Sequence, residues 1–284
     1  MQFGDYRVEV VPDTEFRLDG GAMFGVVPRN LWSKVCPADE QNRVRLNLNC
    51  LFIDTGTERI LIETGIGEKW TPRQTSMYGI DRQRSFAESL RVLTGTEPED
   101  ITIVVNSHLH FDHAGGNTRF DGGGCLVPSF PNARYFVSQA EYEHAEAPTE
   151  RDRASYLSEN WRPLRESGQL QLKPGNYEVA PGLRMETHAG HNRSMQCVRL
   201  ERGGQTLFGF ADLVPTSAHL SFPWIMSYDL YPVETLEAKK QLLPQAARES
   251  WWCLFYHDPD VPLVQLAETE GKFCMLGGGE AKGH

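Results

Sequence analysis

The sequence predicts a single domain of mixed α and β structure (α/β or α+β) over residues 1–284. Strand-like runs outnumber helix-like runs, and the two kinds are interspersed along the chain. No linker, low-complexity run or fixed-period repeat divides a length that one large core can fill. Several predicted strands end in histidine or aspartate, which indicates a site assembled at one edge of a sheet.

The composition is that of an ordinary globular protein, with 40% hydrophobic and 23% charged residues. A net charge of -10 and the lack of a basic patch argue against nucleic acid as a partner. No apolar run approaches the roughly 20 residues that cross a membrane, and the start lacks a signal-peptide pattern. The six cysteines are scattered without a C-x-x-C pair, so we expect a reduced, cytoplasmic setting.

The individual elements follow from the spacing of apolar residues, which is two in strands and 3.6 in helices. Strands are predicted at 6–11, 43–54, 59–63, 101–105, 133–137, 183–187, 195–201, 206–210, 251–256, 261–266 and 272–276. Helices are predicted at 82–93, 138–146, 156–166 and 233–249. Ser138, with Glu141 three residues later, fits a capping box. The tail 277–284 is expected to fray.

Residues 22–32 are apolar but interrupted by glycine and proline, so neither a helix nor a strand is predicted there. The segment can pack into the core as irregular chain. Alternatively, it can wall a substrate pocket with Met23, Phe24 and Trp32. Burial in a homodimer interface is a third alternative.

The densest chemical signal is a His-x-His-x-Asp-His motif formed by His108, His110, Asp112 and His113. A β-branched run at 101–105 precedes it and small residues follow, so the motif lies in a loop at the end of a buried strand. Residues two apart on an extended stretch point the same way, so His108 and His110 can hold one ion. Asp112 and His113 follow the bend and suit a second, adjacent ion.

Further metal-capable residues stand at or just after other predicted strand ends, namely His188, His191, Asp212 and His257. Borderline ions such as zinc take histidine nitrogen and carboxylate oxygen, so this inventory suits one or two of them. Zinc is the first expectation, and the same mixed ligands admit iron, manganese or cobalt.

In order and type, these residues resemble the motifs of the metallo-β-lactamase fold superfamily. The resemblance implies an αββα sandwich with a pair of metal ions. By that resemblance His108, His110 and His191 hold one ion, Asp112, His113 and His257 hold the other, and Asp212 bridges them.

Two further residues take roles from the resemblance. Glu63 stands where the family usually has an aspartate, and it either accepts a hydrogen bond from a ligand histidine or is structural. His188, three residues before His191, resembles a family histidine that orients its neighbour, with a structural role as the alternative.

Residues 25–32, 63–67 and 211–216 resemble the N-acyl-homoserine-lactonase and organophosphate-hydrolase-like branch. The implied reaction uses a metal-bridging hydroxide to open a lactone or cleave a related carboxylic ester of a small molecule, with Asp112 passing a proton to the leaving group. A phosphotriesterase or arylesterase and a glyoxalase II-like thioesterase are the alternatives. A non-catalytic metal-binding protein would leave seven intact ligands unexplained.

The chain departs from that branch at one position. Many such lactonases have a tyrosine three residues after the bridging aspartate, where it contacts the substrate carbonyl, but this chain has Pro215. His219 and Tyr228, in the loop that follows, are the candidates to replace it. Pro223 and Trp224 favour the alternative that this loop is simply packed.

Overall fold

The computed structural model describes residues 1–276, and the predicted fraying of 277–284 lies outside the described residues. The strands are β1 Gln2–Phe3, β2 Tyr6–Pro12, β3 Phe16–Asp19, β4 Arg43–Leu46, β5 Asn49–Asp54, β6 Arg59–Ile62, β7 Ile103–Val105, β8 Thr118–Phe120, β9 Leu126–Pro128, β10 Arg134–Ser138, β11 Leu170–Lys173, β12 Tyr177–Ala180, β13 Leu183–Thr187, β14 Gln196–Arg202, β15 Gln205–Gly209, β16 Trp252–Leu254, β17 Leu263–Thr269 and β18 Lys272–Met275. The α-helices are α1 Gly20–Phe24, α2 Arg29–Trp32, α3 Pro72–Tyr78, α4 Phe86–Thr94, α5 Phe111–Ala114, α6 Gln139–Glu146, α7 Arg162–Glu166 and α8 Pro232–Arg248.

Two large sheets form the centre of the fold. The first has the strand order β1-β2-β5-β6-β7-β10-β11, and the second runs β12-β13-β14-β15-β16-β17-β18. In the first sheet β6, β7, β10 and β11 are parallel. In the second only the β15–β16 pair is parallel. Parallel strands are buried on both faces, which explains why β7 reads as an uninterrupted apolar run.

The sheets pack face to face, and helices cover their outer faces. Leu51 of β5 and Leu200 of β14 belong to one core cluster between the sheets. Phe52 points the opposite way, as successive strand residues do, into a cluster with Leu90 of α4. Leu243 of α8 packs on the outer face of the second sheet. The αββα sandwich expected from the sequence is therefore confirmed.

The segment 22–32 is more regular than expected, because it contains α1 and α2. Asp19 caps α1 by accepting a hydrogen bond from the backbone N–H of Ala22 (2.9 Å). The chain reverses at Gly25, whose φ of 57° lies in the left-handed region. A Cβ at Gly20 would collide with the ring of Trp32, so a glycine is required where the two helices meet.

Three other local predictions need correction. The 43–54 run is two strands, and β4 pairs with β3 outside the main sheets. The predicted helix at 156–166 is a 3-10 turn at Ser158–Asn160 followed by the short α7. Ser138 occupies the N-cap of α6 but makes no side-chain capping bond, so the capping-box prediction is wrong.

Helix α3 was not predicted from periodicity, because none of its residues is buried and it therefore has no apolar stripe. A signal was present at its start, where Thr71 and Gln74 form a capping box around a proline in the first turn. Across residues 1–276, no helix has both the length and the apolar character needed to span a bilayer.

Candidate metal centre and its cavity

The metal loop, residues 106–113, begins where β7 ends and is pressed against the end of β6. A Cβ at Gly116 would collide with the carbonyl oxygen of Thr64, and one at Gly115 with that of Ile66. Only glycine permits this backbone approach. Thr64 also fixes the loop directly, since its backbone N–H donates to the carbonyl oxygen of His113 (2.9 Å). The Gly-Gly pair after the motif therefore sets where its ligands lie.

The structure brings all seven predicted ligands together in two adjacent groups. In each group the ligand atoms lie within 4.8 Å of one another. The first group consists of His108, His110, His191 and Asp212, and the second of Asp112, His113 and His257.

Asp212 lies between the two groups, with one oxygen facing each. Its Oδ1 is 3.1 Å from His113 Nε2 and 3.0 Å from His257 Nε2. Its Oδ2 is 3.3 Å from His191 Nε2 and 3.8 Å from His108 Nε2. A carboxylate in this position can ligate two cations at once.

The donor set fits divalent metal ions. The Nε2 atom of His108, which faces Asp212 Oδ2, is buried and has no hydrogen-bond partner, which is costly for a polar atom unless something else satisfies it. Burial drives the pKa of both His108 and His110 well below its usual value. Both rings are therefore neutral, and neutral imidazole is the form that binds metal.

The carboxylates favour positive charge in the second group. Burial alone would raise the pKa of Asp212, but His113, His257 and His191 hold it well below its usual value. Burial likewise works against a charged His113, yet the carboxylates of Asp212 and Glu63 hold its pKa well above its usual value. The site thus stabilises a cation here, either a proton or a metal ion that replaces it.

Three of the candidate ligand histidines have a defined partner on the other ring nitrogen, which fixes ring orientation. His108 Nδ1 lies 2.9 Å from Ser107 Oγ, and His257 Nδ1 lies 3.1 Å from the carbonyl oxygen of Asn47. His191 Nδ1 lies 3.0 Å from Asp229 Oδ1. Asp229 is in turn held by the hydroxyl of Thr235, which donates to Oδ2 (2.6 Å).

Glu63 lies beside a ligand, as one of its two predicted roles requires. Its Oε1 is 3.4 Å from His113 Nδ1 and accepts a hydrogen bond from the backbone N–H of Ser107 (3.0 Å). Its φ of 66° is unusual for a residue with a side chain, and such strain is found where surrounding contacts fix the backbone. Glu63 therefore positions both His113 and the start of the metal loop.

His188 is not placed where it could orient His191. Its Nε2 is 3.7 Å from Glu186 Oε2, and its ring packs edge-on against Phe208. The orienting position is occupied by Asp229, which the sequence analysis did not single out. A lone aspartate in an irregular loop has no periodic or motif signal, so only the fold reveals its partner.

A cavity of about 390 Å³ opens directly over the metal ligands. Its floor includes Asp112, Asp212 and His257. Its walls combine apolar, hydroxyl-bearing and charged side chains, which are Leu18, Ala22, Met23, Tyr78, Phe111, Arg151, Asp152, Ala154, Ser155, Met226, Ser227 and Tyr228. Met23 and Tyr228 thus lie where the sequence analysis placed them.

Three predicted pocket or catalytic residues lie elsewhere. Phe24, Trp32 and His219 form a buried stack outside the cavity lining, with His219 and Trp32 each parallel to the ring of Phe24. His219 Nε2 donates to the carbonyl oxygen of Met23 (2.8 Å), which leaves Nδ1 to accept from Thr216 Oγ1 (2.8 Å). Burial lowers the pKa of His219 to about 3. These residues support the cavity wall from behind, and His219 cannot contact a substrate in the cavity.

Three residues of the wall carry long side chains that can donate a hydrogen bond to a ligand in the cavity. They are Tyr228, Tyr78 and Arg151. Burial, aided by nearby carboxylates that include Asp112, raises the pKa of both tyrosines, so both hydroxyls stay protonated and can donate. Arg151 Nη2 donates to the carbonyl oxygen of Ser227 (2.5 Å) across the cavity rim. It makes no ion pair with any residue of the described part of the chain.

The sequence of the chain is similar to that of a known protein family. Residues 43–257 match the sequence profile of the metallo-β-lactamase superfamily. An N-acyl homoserine lactonase of Bacillus cereus is 30% identical over 169 residues, 56% of this chain and 60% of that protein. The chain thus spans less than two thirds of the length of that relative.

Solved structures agree over a greater length. A probable metal-dependent hydrolase from Staphylococcus aureus is 31% identical, with a TM-score of 0.88 over 97% of this chain and 98% of that one. AidC, a dizinc quorum-quenching lactonase, has a TM-score of 0.77 over 97% of this chain and 95% of its own. At 20% identity the second likeness concerns the fold alone.

Proposed function

The chain belongs to the metallo-β-lactamase superfamily, and on that premise we propose that it is a dinuclear metal-dependent hydrolase that opens lactones. The observation that supports this most directly is Asp212, whose two oxygens face two separate groups of ligands. His108, His110 and His191 would hold one divalent ion, and Asp112, His113 and His257 the other. Zinc is the first choice, because the ligands are of the kinds it prefers and the similar fold of AidC is that of a dizinc enzyme.

When bound, such a pair of ions would supply an activated water nucleophile and polarise the carbonyl group whose carbon is attacked. The residues of the chain supply the rest. A substrate in the cavity would have its scissile bond above Asp112 and Asp212. A buried Tyr256 hydroxyl holds the Asp112 backbone by donating to its carbonyl oxygen (2.7 Å). The side chain of Asp112 lines the cavity as well as serving as a ligand, so it can receive the proton that the attacking water loses and pass it to the leaving alkoxide.

The walls orient the substrate and exclude water. Leu18, Met23 and Met226 present apolar surface suited to the hydrocarbon part of an acyl lactone. Many such lactonases have a tyrosine at the position of Pro215. In this chain Tyr228 takes its role, and the Tyr228 hydroxyl donates to the substrate carbonyl. Arg151, which has donors to spare beyond its bond to Ser227, meets an amide or keto oxygen further along the substrate.

A substrate panel tests this proposal. One metal-loaded preparation would be assayed on N-acyl homoserine lactones, simple aliphatic lactones, aryl esters, thioesters and a paraoxon-like phosphotriester. We expect about two ions per chain and a kcat/KM for lactones at least tenfold above that for the other classes. One ion per chain would refute the dinuclear centre, and a preference for thioesters or phosphotriesters would replace lactones as the substrate class.

A further inference from the structure

Helix α6 has a carboxylate that is turned away from solvent. Glu141 lies in the first turn of the helix and is completely buried, at 0% exposure. The sequence placed it in a capping box with Ser138, but no such bond forms. A buried carboxylate needs partners that offset the loss of its hydration, so its contacts show why the residue is there.

Four hydrogen-bond donors surround its two oxygens. Oε1 accepts from the backbone N–H of Leu109 (2.9 Å) and from the hydroxyl of Tyr156 (3.1 Å). Oε2 accepts from Nδ2 of Asn192 (2.9 Å) and from the hydroxyl of Ser194 (2.6 Å). An ionised carboxylate offers about four acceptor positions and no donor, so this environment matches that group and no neutral side chain of the same shape.

The donors come from three segments, and two of these segments carry residues of the first ligand group. Leu109 stands between His108 and His110, and Asn192 directly follows His191. Tyr156 comes from the segment that walls the cavity, and its ring packs against that of His110 with a centroid distance of 4.7 Å. Glu141 is therefore a single anchor for two ligand loops that are about eighty residues apart in sequence.

The anchor has little freedom to rearrange, because its partners are also bonded to one another. Asn192 Nδ2 donates to the Tyr156 hydroxyl as well (3.2 Å), and Asn192 Oδ1 accepts from the backbone N–H groups of Ser194 (2.8 Å) and Met195 (2.6 Å). All of these side chains are buried. A fully satisfied buried network of this kind specifies one geometry.

We propose that Glu141 is a positioning residue that fixes the separation of His110 from His191, and with it the affinity of the first ligand group for a divalent ion. His110 Nδ1 and His191 Nε2 lie 3.0 Å apart, so a small shift of either loop changes the ligand geometry. The catalytic consequence rests on the proposed hydrolase function. The effect on metal affinity does not depend on the identity of the substrate.

The test is Glu141→Gln, which keeps the shape of the side chain. The amide NH2 group replaces an oxygen that accepted two hydrogen bonds, so its two donors face two donors of the protein. We expect metal affinity, measured by competition with a chelator for Zn²⁺, to fall by about 10- to 100-fold, as for other partners that orient metal ligands. The kcat for the best lactone should fall with it, and KM should change less. Glu143→Gln is the matched control, since Glu143 is an exposed residue of the same helix bonded only to Gln139.

Two smaller changes keep the proposal testable if Glu141→Gln does not fold. Tyr156→Phe and Ser194→Ala each remove one donor and leave the carboxylate in place, and each should weaken Zn²⁺ binding several-fold. A folded Glu141→Gln with a lower Tm but the affinity of the wild type would show a merely structural role and overturn the proposal. Unchanged affinity in both smaller variants would do the same. Weakened affinity in a protein that hydrolyses no lactone would reject only the proposed function.

Discussion

The floor of the cavity is buried and closely hydrogen-bonded, whereas parts of its walls are exposed and have few fixed partners. His257 on the floor is 2% exposed, but Tyr228 on the wall is 38% exposed. The ligands on the floor are held by Glu63, Glu141 and Asp229 from behind. We therefore expect metal binding and substrate choice to depend on separate sets of residues. Substitutions on the floor should change metal affinity, and substitutions on the wall should change kinetics at unchanged metal content.

The largest effect is expected from Asp212→Ala, which removes both oxygens between the two ligand groups. Loss of an outer partner typically costs 10- to 100-fold in metal affinity or activity, so loss of this shared ligand should lower kcat/KM by more than about 100-fold and reduce the bound metal. The check is metal analysis together with lactone kinetics. Asp54→Ala, at the end of β5, is the control. An active Asp212→Ala enzyme would show that the floor does not act as a dinuclear unit.

A smaller effect is expected from Asp229→Ala, which leaves every ligand in place but frees the ring of His191. Metal affinity should fall by about 10- to 100-fold, measured by chelator competition. Thr235→Val removes only the hydroxyl that holds Asp229 and should have a smaller effect in the same direction. Equal affinities in wild type and both variants would mean that the orientation of His191 is fixed by packing alone.

The same division explains what could be predicted from the sequence. The seven candidate ligands could be singled out because they fall in a dense motif and at or just after strand ends, and the structure brings them together. The fold followed from periodicity and the resemblance. Asp229 and Glu141 were missed or misassigned, because the ligand-loop residues that they hold lie 38 residues away for Asp229 and at least 32 for Glu141.

The apolar residues in and behind the cavity wall were the hardest to assign to the pocket or to the core. Met23 and Phe24 are adjacent in the sequence, yet Met23 lines the cavity and Phe24 is buried behind it. One short helix presents them to opposite sides, and an apolar run interrupted by glycine does not reveal which side faces the site. A substrate wall therefore cannot be read from hydrophobicity, since core and pocket use the same residue types.

On the wall, Tyr228→Phe should change catalysis without changing metal binding. Removing one hydroxyl that donates to a developing negative charge costs about 1.5–3 kcal/mol, so we expect roughly a 10- to 100-fold loss in kcat/KM for lactones at unchanged metal content. Tyr78→Phe is the comparison, because its hydroxyl belongs to the same cavity. A larger loss in Tyr78→Phe would transfer the role to that residue. Loss of metal in Tyr228→Phe would contradict the assignment of metal binding to the floor alone.

The smallest effect on catalysis is expected from His219→Gln, because His219 lies behind the wall and its side chain bonds only to Thr216 and the Met23 carbonyl. Activity at pH 8 should stay within about twofold, whereas removal of a general base typically costs 10²- to 10⁴-fold. A loss of that size would return His219 to the list of catalytic residues. The wild type and His219→Gln should differ instead in how their free energy of unfolding depends on pH.

The pKa of His219 is about 3 in the folded protein, below the value of about 6.5 in the unfolded chain. As the pH falls below about 6.5, the unfolded chain takes up a proton that the folded protein does not, so the free energy of unfolding decreases. For this residue the decrease between pH 8 and pH 5 should be about 2 kcal/mol. Urea unfolding of wild type and His219→Gln at both pH values should therefore show a loss on acidification that is smaller in the variant by that amount. An identical loss in both would mean that His219 takes up a proton in the folded core as readily as in the unfolded chain, where its bond to the Met23 carbonyl and a second donated bond would have to stabilise the charge.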